Sequence, residues 1–201
     1  MDAFESIVAT ILRLDGYWVH RLVRVPLTAQ EKRRLGQPSL PRPELDLVAY
    51  KPRSNELLVV ECKSFLDSQG VHSSGFTDPN AQSFKRYKLF NDPRLWRTVR
   101  RALVRHLRQL GACCARPVVR LCLTTGHIAT PLHRLRLRAH FAKHRWELLD
   151  DIEIARRLRD SSDTTYADDV AIVAAKILSQ AENAPSTTES RRPSKGPDRG
   201  R

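Results

Sequence analysis

Long apolar runs are missing from this sequence. Nowhere in its 201 residues does one approach the roughly 20 that a membrane-spanning helix needs. The N-terminus lacks the basic segment followed by a long apolar stretch that marks a secretory signal, so export is not expected. Cysteine is scarce, and Cys62, Cys113, Cys114 and Cys122 show no C-x2-C spacing. That argues against a zinc knuckle and against a disulfide framework. Their apolar neighbours predict small buried residues in a reducing, cytoplasmic setting. No G-x-x-x-x-G-K phosphate loop is present, no internal repeat is seen, and neither a zinc finger nor a helix-turn-helix announces a sequence-reading module. His140 and His144 are four apart, but no glutamate completes an H-E-x-x-H motif. They and His133 read as surface or phosphate-facing side chains.

Acidic charge is also in deficit. Thirty-five Lys and Arg face 22 Asp and Glu, a net charge of +13 and a pI near 10.3. Residues 183–201 contribute five basic side chains against two acids, so most of the excess belongs to the rest of the chain. Such a balance, carried largely by arginine with its bidentate fork, points to a polyanionic partner and above all to nucleic acid. A hydrophobic fraction of 41% allows one domain with a proper core. Residues 1–182 read as that domain. Residues 183–201, rich in Ser, Thr, Pro, Gly and Arg, read as a disordered basic tail.

Periodicity supplies the elements. Phe4, Ile7, Val8, Ile11 and Leu12 lie at helical spacing, predicting a helix over 2–14 that Asp15-Gly16 stops. A β-prone run follows over 17–25. A proline-punctuated loop spans 26–43, with a short helical piece near 31–35. Two strands, 44–50 and 57–64, flank hairpin-turn chemistry at 51–56. Beyond a Gly/Ser/Asp-rich loop comes a basic helical region over 80–110, broken near Pro93. A buried strand is predicted over 117–124, a helix over 131–144, a short strand over 146–149 and a helix over 151–159. Asp150-Asp151 suit the N-cap of that helix, and Trp146 suits the core. A last helix over 166–181 should turn Val170, Val173, Ala174 and Ile177 inward. The order is that of an α/β domain with a mixed central β-sheet flanked by helices.

Chemistry concentrates in the hairpin. Asp46 sits between Leu45 and Leu47, while Glu61 and Lys63 are two apart and share a face of the next strand. An antiparallel hairpin brings Asp46 opposite the Glu61–Lys63 end. Carboxylates grouped at the end of apolar strands are costly unless something compensates them, and a divalent cation does so. Magnesium takes hard oxygen ligands at about 2.0–2.1 Å and keeps several waters, so two carboxylates and a backbone carbonyl suit it. A Glu-x-Lys triplet alone carries little weight, because solvated strand faces often hold such ion pairs.

Glu5 on the first helix, Asp46, and then Glu61-Cys62-Lys63 together resemble the PD-(D/E)XK nucleases, the restriction-endonuclease-like superfamily. The run Leu-Asp-Gly-Tyr-Trp-Val that closes the first helix is also similar to many members. The resemblance covers roughly residues 1–123. It departs from the family where Leu45 replaces the proline expected before the aspartate, with Pro43 displaced upstream. The resemblance implies a restriction-endonuclease-like core (α-β-β-β-α-β) with extra C-terminal helices and a Mg2+-dependent deoxyribonuclease, endonuclease favoured, in which Mn2+ substitutes. It implies that Asp46 and Glu61 bind the metal with the Cys62 carbonyl, and that Lys63 positions the attacking water. Glu5 would support the metal through water. Gln82, Lys85, Arg86 and Tyr87, after the loop, would lie near the substrate phosphate, although an ordinary helical turn explains them equally well. Arg94, Arg97, Arg100, Arg101, Arg105 and Arg108 form a basic helical surface suited to the DNA backbone. A homodimer or a partner specificity subunit is expected, since one site cuts one strand. The alternative is a catalytically silent nucleic-acid-binding or structural member of the same fold, acting within a larger complex.

Overall fold

The computed structural model describes residues 2–164 and 169–183. In chain order they form α1 (Ala3–Leu14), β1 (Trp18–Arg24), α2 (Ala29–Arg34), β2 (Glu44–Lys51), β3 (Glu56–Lys63), α3 (Ser74–Thr77), α4 (Lys88–Asn91), α5 (Pro93–Gln109), β4 (Val118–Thr125), α6 (Pro131–His144), β5 (Glu147–Leu149), α7 (Asp151–Thr164) and α8 (Val170–Asn183). Single 3-10 turns occupy Pro52–Ser54 and Gln82–Arg86. The five strands form one mixed sheet in the order β1-β2-β3-β4-β5, with the first two pairings antiparallel and the last two parallel. No described helix is long and apolar enough to cross a membrane.

Strand alternation gives the sheet two apolar faces, and helices cover both. On one face Leu47, Ala49, Leu58, Val60 and Cys62 pack against Phe4, Val8, Ile11 and Leu12 of α1 and Ile154 of α7. On the other, Val48, Tyr50, Leu57, Val59, Leu121 and Leu123 meet Val99, Leu103 and Leu107 of α5 and Leu137 and Phe141 of α6. Burying one large aliphatic side chain contributes about 1.5–3 kcal/mol, so these two layers carry most of the stability. The parallel pairing of β3 with β4 requires a crossover, and α5 supplies it. Asp92 caps α5 by accepting the Arg94 and Leu95 amides at 2.9 and 3.0 Å, and Pro93 at its first position lacks only an N–H that would have gone unused.

The loop between β1 and β2 is held by charge rather than by apolar burial. Thr28 and Glu31 form a capping box for α2. The Glu31 carboxylate then meets the Arg105 guanidinium at both oxygens, 2.7 and 3.0 Å, while Arg105 also donates to the Pro26 carbonyl at 3.2 Å. Asp150, buried before α7, is the predicted cap: it accepts the Glu153 amide at 3.0 Å and pairs with Arg134 and Arg138 at 2.9 and 2.7 Å.

Several expectations need correcting. In α8, Val170, Val173, Ala174 and Ile177 are exposed, and Ile172 is the buried residue. The first half of that helix, Val-Ala-Ile-Val-Ala-Ala, is apolar on every side, so periodicity leaves its inward face open. Its packing on α7 and the bond from the Thr10 hydroxyl to Asp169, 2.6 Å, turn Ile172 inward. Only Cys62 and Cys122 are buried; Cys113 is half-buried and Cys114 exposed, because their turn lies outside the sheet. Gln82 opens a 3-10 turn rather than an α-helix, and α7 runs five residues past the predicted end at 159. The expected basic tail lies, apart from Asn183, outside the described residues.

Arg105, hydrogen-bonded to Glu31, holds the Glu31 carboxyl down at about 2 despite partial burial. A depressed folded value means that this contribution to stability is complete above the ordinary carboxyl value near 4.5 and fades as pH falls towards 2. Denaturant melts of Glu31→Gln should therefore show lower stability than wild type at pH 6, with the difference shrinking between pH 4.5 and 2. A constant difference across that window would show that the pair is not the cause.

Candidate active site

The β2–β3 ladder is regular from Lys51–Glu56 to Leu47–Val60. One step further the register sets Asp46 opposite Glu61, and the regular pairing ends. There Asp46 Oδ2 accepts the Cys62 amide at 2.7 Å, a carboxylate taking the donor that a strand carbonyl would otherwise satisfy. On the other side of β2, the β1 register pairs Arg21 with Leu47 and Val23 with Leu45, but omits Leu22 and Asp46. Leu22 has φ +52°, a left-handed conformation that is uncommon for any residue but glycine. The irregularity shows in packing: Leu45 reaches the α5 side of the sheet although Leu47, two residues on, reaches the α1 side. Asp46 occupies the bend between them.

Glu61 and Lys63 continue the β3 face that carries Leu57 and Val59 towards α5, and their side chains meet at 2.6 Å. Burial raises the Glu61 pKa, Lys63 opposes that rise, and the Asp46 carboxylate adds to it. Burial works against the charge of Lys63, but Glu61 and Asp46 outweigh it and hold the ammonium above its usual value. Lys63 is thus a cation at neutral pH. The Cys62 thiol, buried against the α1 face near Asp46, Glu5 and Glu61, is pushed up to about 12, so it stays protonated and inert. The Cys62 amide points to the β2 side; in a strand its own carbonyl points the same way.

The sequence-predicted residues divide clearly. Asp46, Glu61, Lys63 and the Cys62 backbone come together. Tyr87 is drawn in as well: it is buried on Phe76, ring centroids 4.2 Å apart, and burial together with the nearby Glu61 charge raises its hydroxyl to about 12. Glu5 stands in the first turn of α1, partnered by Arg21 of β1 at 3.5 Å. Gln82, Lys85 and Arg86 lie exposed on their 3-10 turn, and Lys85 lines a cleft with Leu35, Leu40 and Leu95 that contains none of the site carboxylates. His133 is engaged by the Ser73 amide at 3.2 Å, and His144 stacks on Trp146 at 4.4 Å.

The sequence did not single out Arg21, Thr124 or Gly126. Arg21 supplies Glu5 with its cation. The buried Thr124 donates to Cys62 Sγ at 3.2 Å from the parallel strand β4. Gly126 donates its amide to the Lys63 carbonyl at 3.1 Å and leaves no room for a side chain: a Cβ there would lie 2.4 Å from the Ser64 carbonyl. A Thr-Thr-Gly run at a strand end was the available signal, and it means little until the neighbouring strand is known.

Among the described residues, no three His, Cys, Asp or Glu side chains stand close enough to hold a metal ion together. The oxygen donors at hand are the two carboxylates and a backbone carbonyl. That set fits a hard divalent cation that keeps most of its water, and does not fit zinc. Compared with known proteins, the chain matches no family model, no curated protein and no solved structure. The likeness to PD-(D/E)XK nucleases therefore rests on its own residues.

Gly126→Ala should force the end of β4 away from Ser64. Such overpacking costs about 1–3 kcal/mol, and for a domain of this size it should lower Tm by about 2–12 °C. A melt indistinguishable from wild type would mean that the close approach is unimportant.

Proposed function

We propose that this chain is a metal-dependent nuclease with a restriction-endonuclease-like core, hydrolysing DNA phosphodiester bonds at Asp46, Glu61 and Lys63. The observation that carries the reading is the meeting of two carboxylates and a charged lysine at the frayed end of an otherwise apolar hairpin. Asp46 and Glu61 would hold Mg2+ with the Cys62 carbonyl, and Mn2+ would substitute. A bound divalent cation lowers the pKa of its water and withdraws charge from the phosphoryl oxygen.

The chain's own groups define the remaining steps. Because Lys63 stays protonated, it acts as a donor: it orients the attacking water and offsets charge that develops on the phosphate, and it does not take the proton. Glu61 fixes the ammonium by their 2.6 Å contact, and the Cys62 amide fixes Asp46 at 2.7 Å. Glu5, paired with Arg21 at 3.5 Å, stands on the α1 side of the sheet, so the support it would give the metal would pass round the strand end through water. Tyr87, buried on Phe76, stands near enough to Glu61 to feel its charge.

A second reading is a nucleic-acid-binding member of the same fold that does not cut. It is favoured by one observation: Glu61 is already paired with the Lys63 ammonium, and Asp46 already accepts the Cys62 amide.

Cleavage of supercoiled, linear and single-stranded DNA in Mg2+, Mn2+ or EDTA separates the two. Metal-dependent cutting by wild type should disappear in Asp46→Ala and fall by at least 100-fold in Lys63→Ala, with DNA binding largely kept. Full activity in Lys63→Ala would remove its role. No cutting by wild type, with salt-sensitive binding intact, would select the second reading.

Metal binding has its own readout. At ten times its Kd, Mg2+ should stabilise the fold by about 1.4 kcal/mol, a rise in Tm of about 3–6 °C. Asp46→Asn should abolish that rise.

A further inference from the structure

Helix α5 leaves the carboxylate end of the sheet and runs back to the far end, where β4 begins. There a cleft of about 640 Å³ is lined by Arg100, Arg101, Arg105, Arg108 and Arg116 over an apolar floor of Val104, Pro117 and Val119. Arg105 is committed to Glu31. Among the described residues, Arg100, Arg101, Arg108 and Arg116 have no carboxylate partner, and no acid lines the cleft. Arg100 and Val119 also border an adjoining cleft of about 620 Å³ with Trp96, Arg145 and Trp146, so the two form one groove; its one lining acid, Glu147, is paired with Arg120 at 2.7 Å.

Two of these arginines stand where arginine is locally disfavoured. Arg116 has φ +54° and Arg145 has φ +57°, left-handed positions that glycine or asparagine occupies at less cost. Arg145 caps α6 at the position where glycine is the common choice, and the Arg116 carbonyl is held by the Asn55 side chain at 3.4 Å. Strain maintained at two charged residues on one groove is the pattern expected of a binding surface.

We propose that this groove binds the phosphodiester backbone of nucleic acid, as a site separate from the carboxylates. Register gives the separation: Val119 pairs with Leu57, and six residues of β3 lead from there to Lys63, about 20 Å at strand rise. A phosphate in the groove is therefore a different phosphate from one at Asp46 and Glu61. Arginine forks take phosphate oxygens in pairs, and the apolar floor accepts sugar and base edges. The proposal rests on nucleic acid as the partner but not on cleavage.

The test is binding of a labelled 20-base-pair duplex in EDTA across 50–200 mM salt. Arg116→Gly/Arg145→Gly removes two charges and relieves two strained residues. Arg101→Ala/Arg108→Ala removes two charges from an exposed helix face. In each, affinity should fall at least tenfold and the slope of log K against log salt should shrink by about two. Arg33→Ala/Arg34→Ala, the same charge change on α2, should bind as wild type. Unchanged affinity and slope in both groove variants would overturn the proposal. So would an equal loss in the α2 variant, which would mean net charge alone, or competition by poly-glutamate as effective as that by unlabelled duplex, which would mean an acidic protein partner. Cleavage failing while the groove variants still lose binding would leave the proposal standing and remove only the nuclease reading.

Discussion

The Asp46 carboxylate accepts the Cys62 amide where the β2–β3 ladder gives out, and the geometry of the site follows from that bond. A strand pair that continued would bury Glu61 and Lys63 opposite backbone and side chains of β2. With a side chain in place of a strand carbonyl, β2 bends at Asp46, Leu45 moves to the α5 side, and Leu22 of β1 takes a left-handed turn to follow. The hairpin is fixed by apolar burial along most of its length and opens only at its last step. Glu61 and Lys63 sit at that opening, paired at 2.6 Å and part-shielded from water, where electrostatic interactions are stronger than at the surface.

The strong positive charge is not one surface. Arg134 and Arg138 hold the buried Asp150, Arg157 bridges Asp15 and Glu153, Arg120 joins Glu147 to Glu56, and Arg105 ties α2 to α5. These arginines hold elements together, and their charge is largely spent inside the protein. Burial works against the charge of Asp150, yet the Glu153 amide and the two arginines keep its pKa below the usual value. Arg100, Arg101, Arg108 and Arg116, without carboxylate partners among the described residues, line one cleft by the C-terminal half of α5 and the turn before β4. A net charge of +13 states only the difference between the two signs; tertiary structure sorts the cations into those with partners and those without.

Chain direction explains why these features fall apart in space. β3 ends at the carboxylates, α5 carries the chain back along the sheet, and β4 restarts at the other end. A 17-residue helix spans about 25 Å. Residues that read in sequence as one basic surface following the hairpin are thus spread from the neighbourhood of the site to the opposite edge of the molecule.

Much was legible from residue order. Periods of 2 and 3.6 placed all five strands and the main helices within a few residues, because alternating burial and helical stripes are local consequences of backbone geometry. Glu61 and Lys63 were legible for the same reason: two residues apart on a strand, they must share a face. The inward side of α8 was not, since a helix that opens on six apolar residues in a row is oriented by what it meets, here α7 and, through Asp169, the Thr10 hydroxyl. Gly126 reaches the Lys63 carbonyl and Arg21 reaches Glu5 from elements distant in sequence, and Arg105 left the basic surface because Glu31 reached it across 74 residues. Sequence by itself determined the residue types, the local elements and the faces they present. Tertiary structure alone decided which charges are neutralised and which glycine is crowded, because long-range pairing sets those distances and periodicity does not.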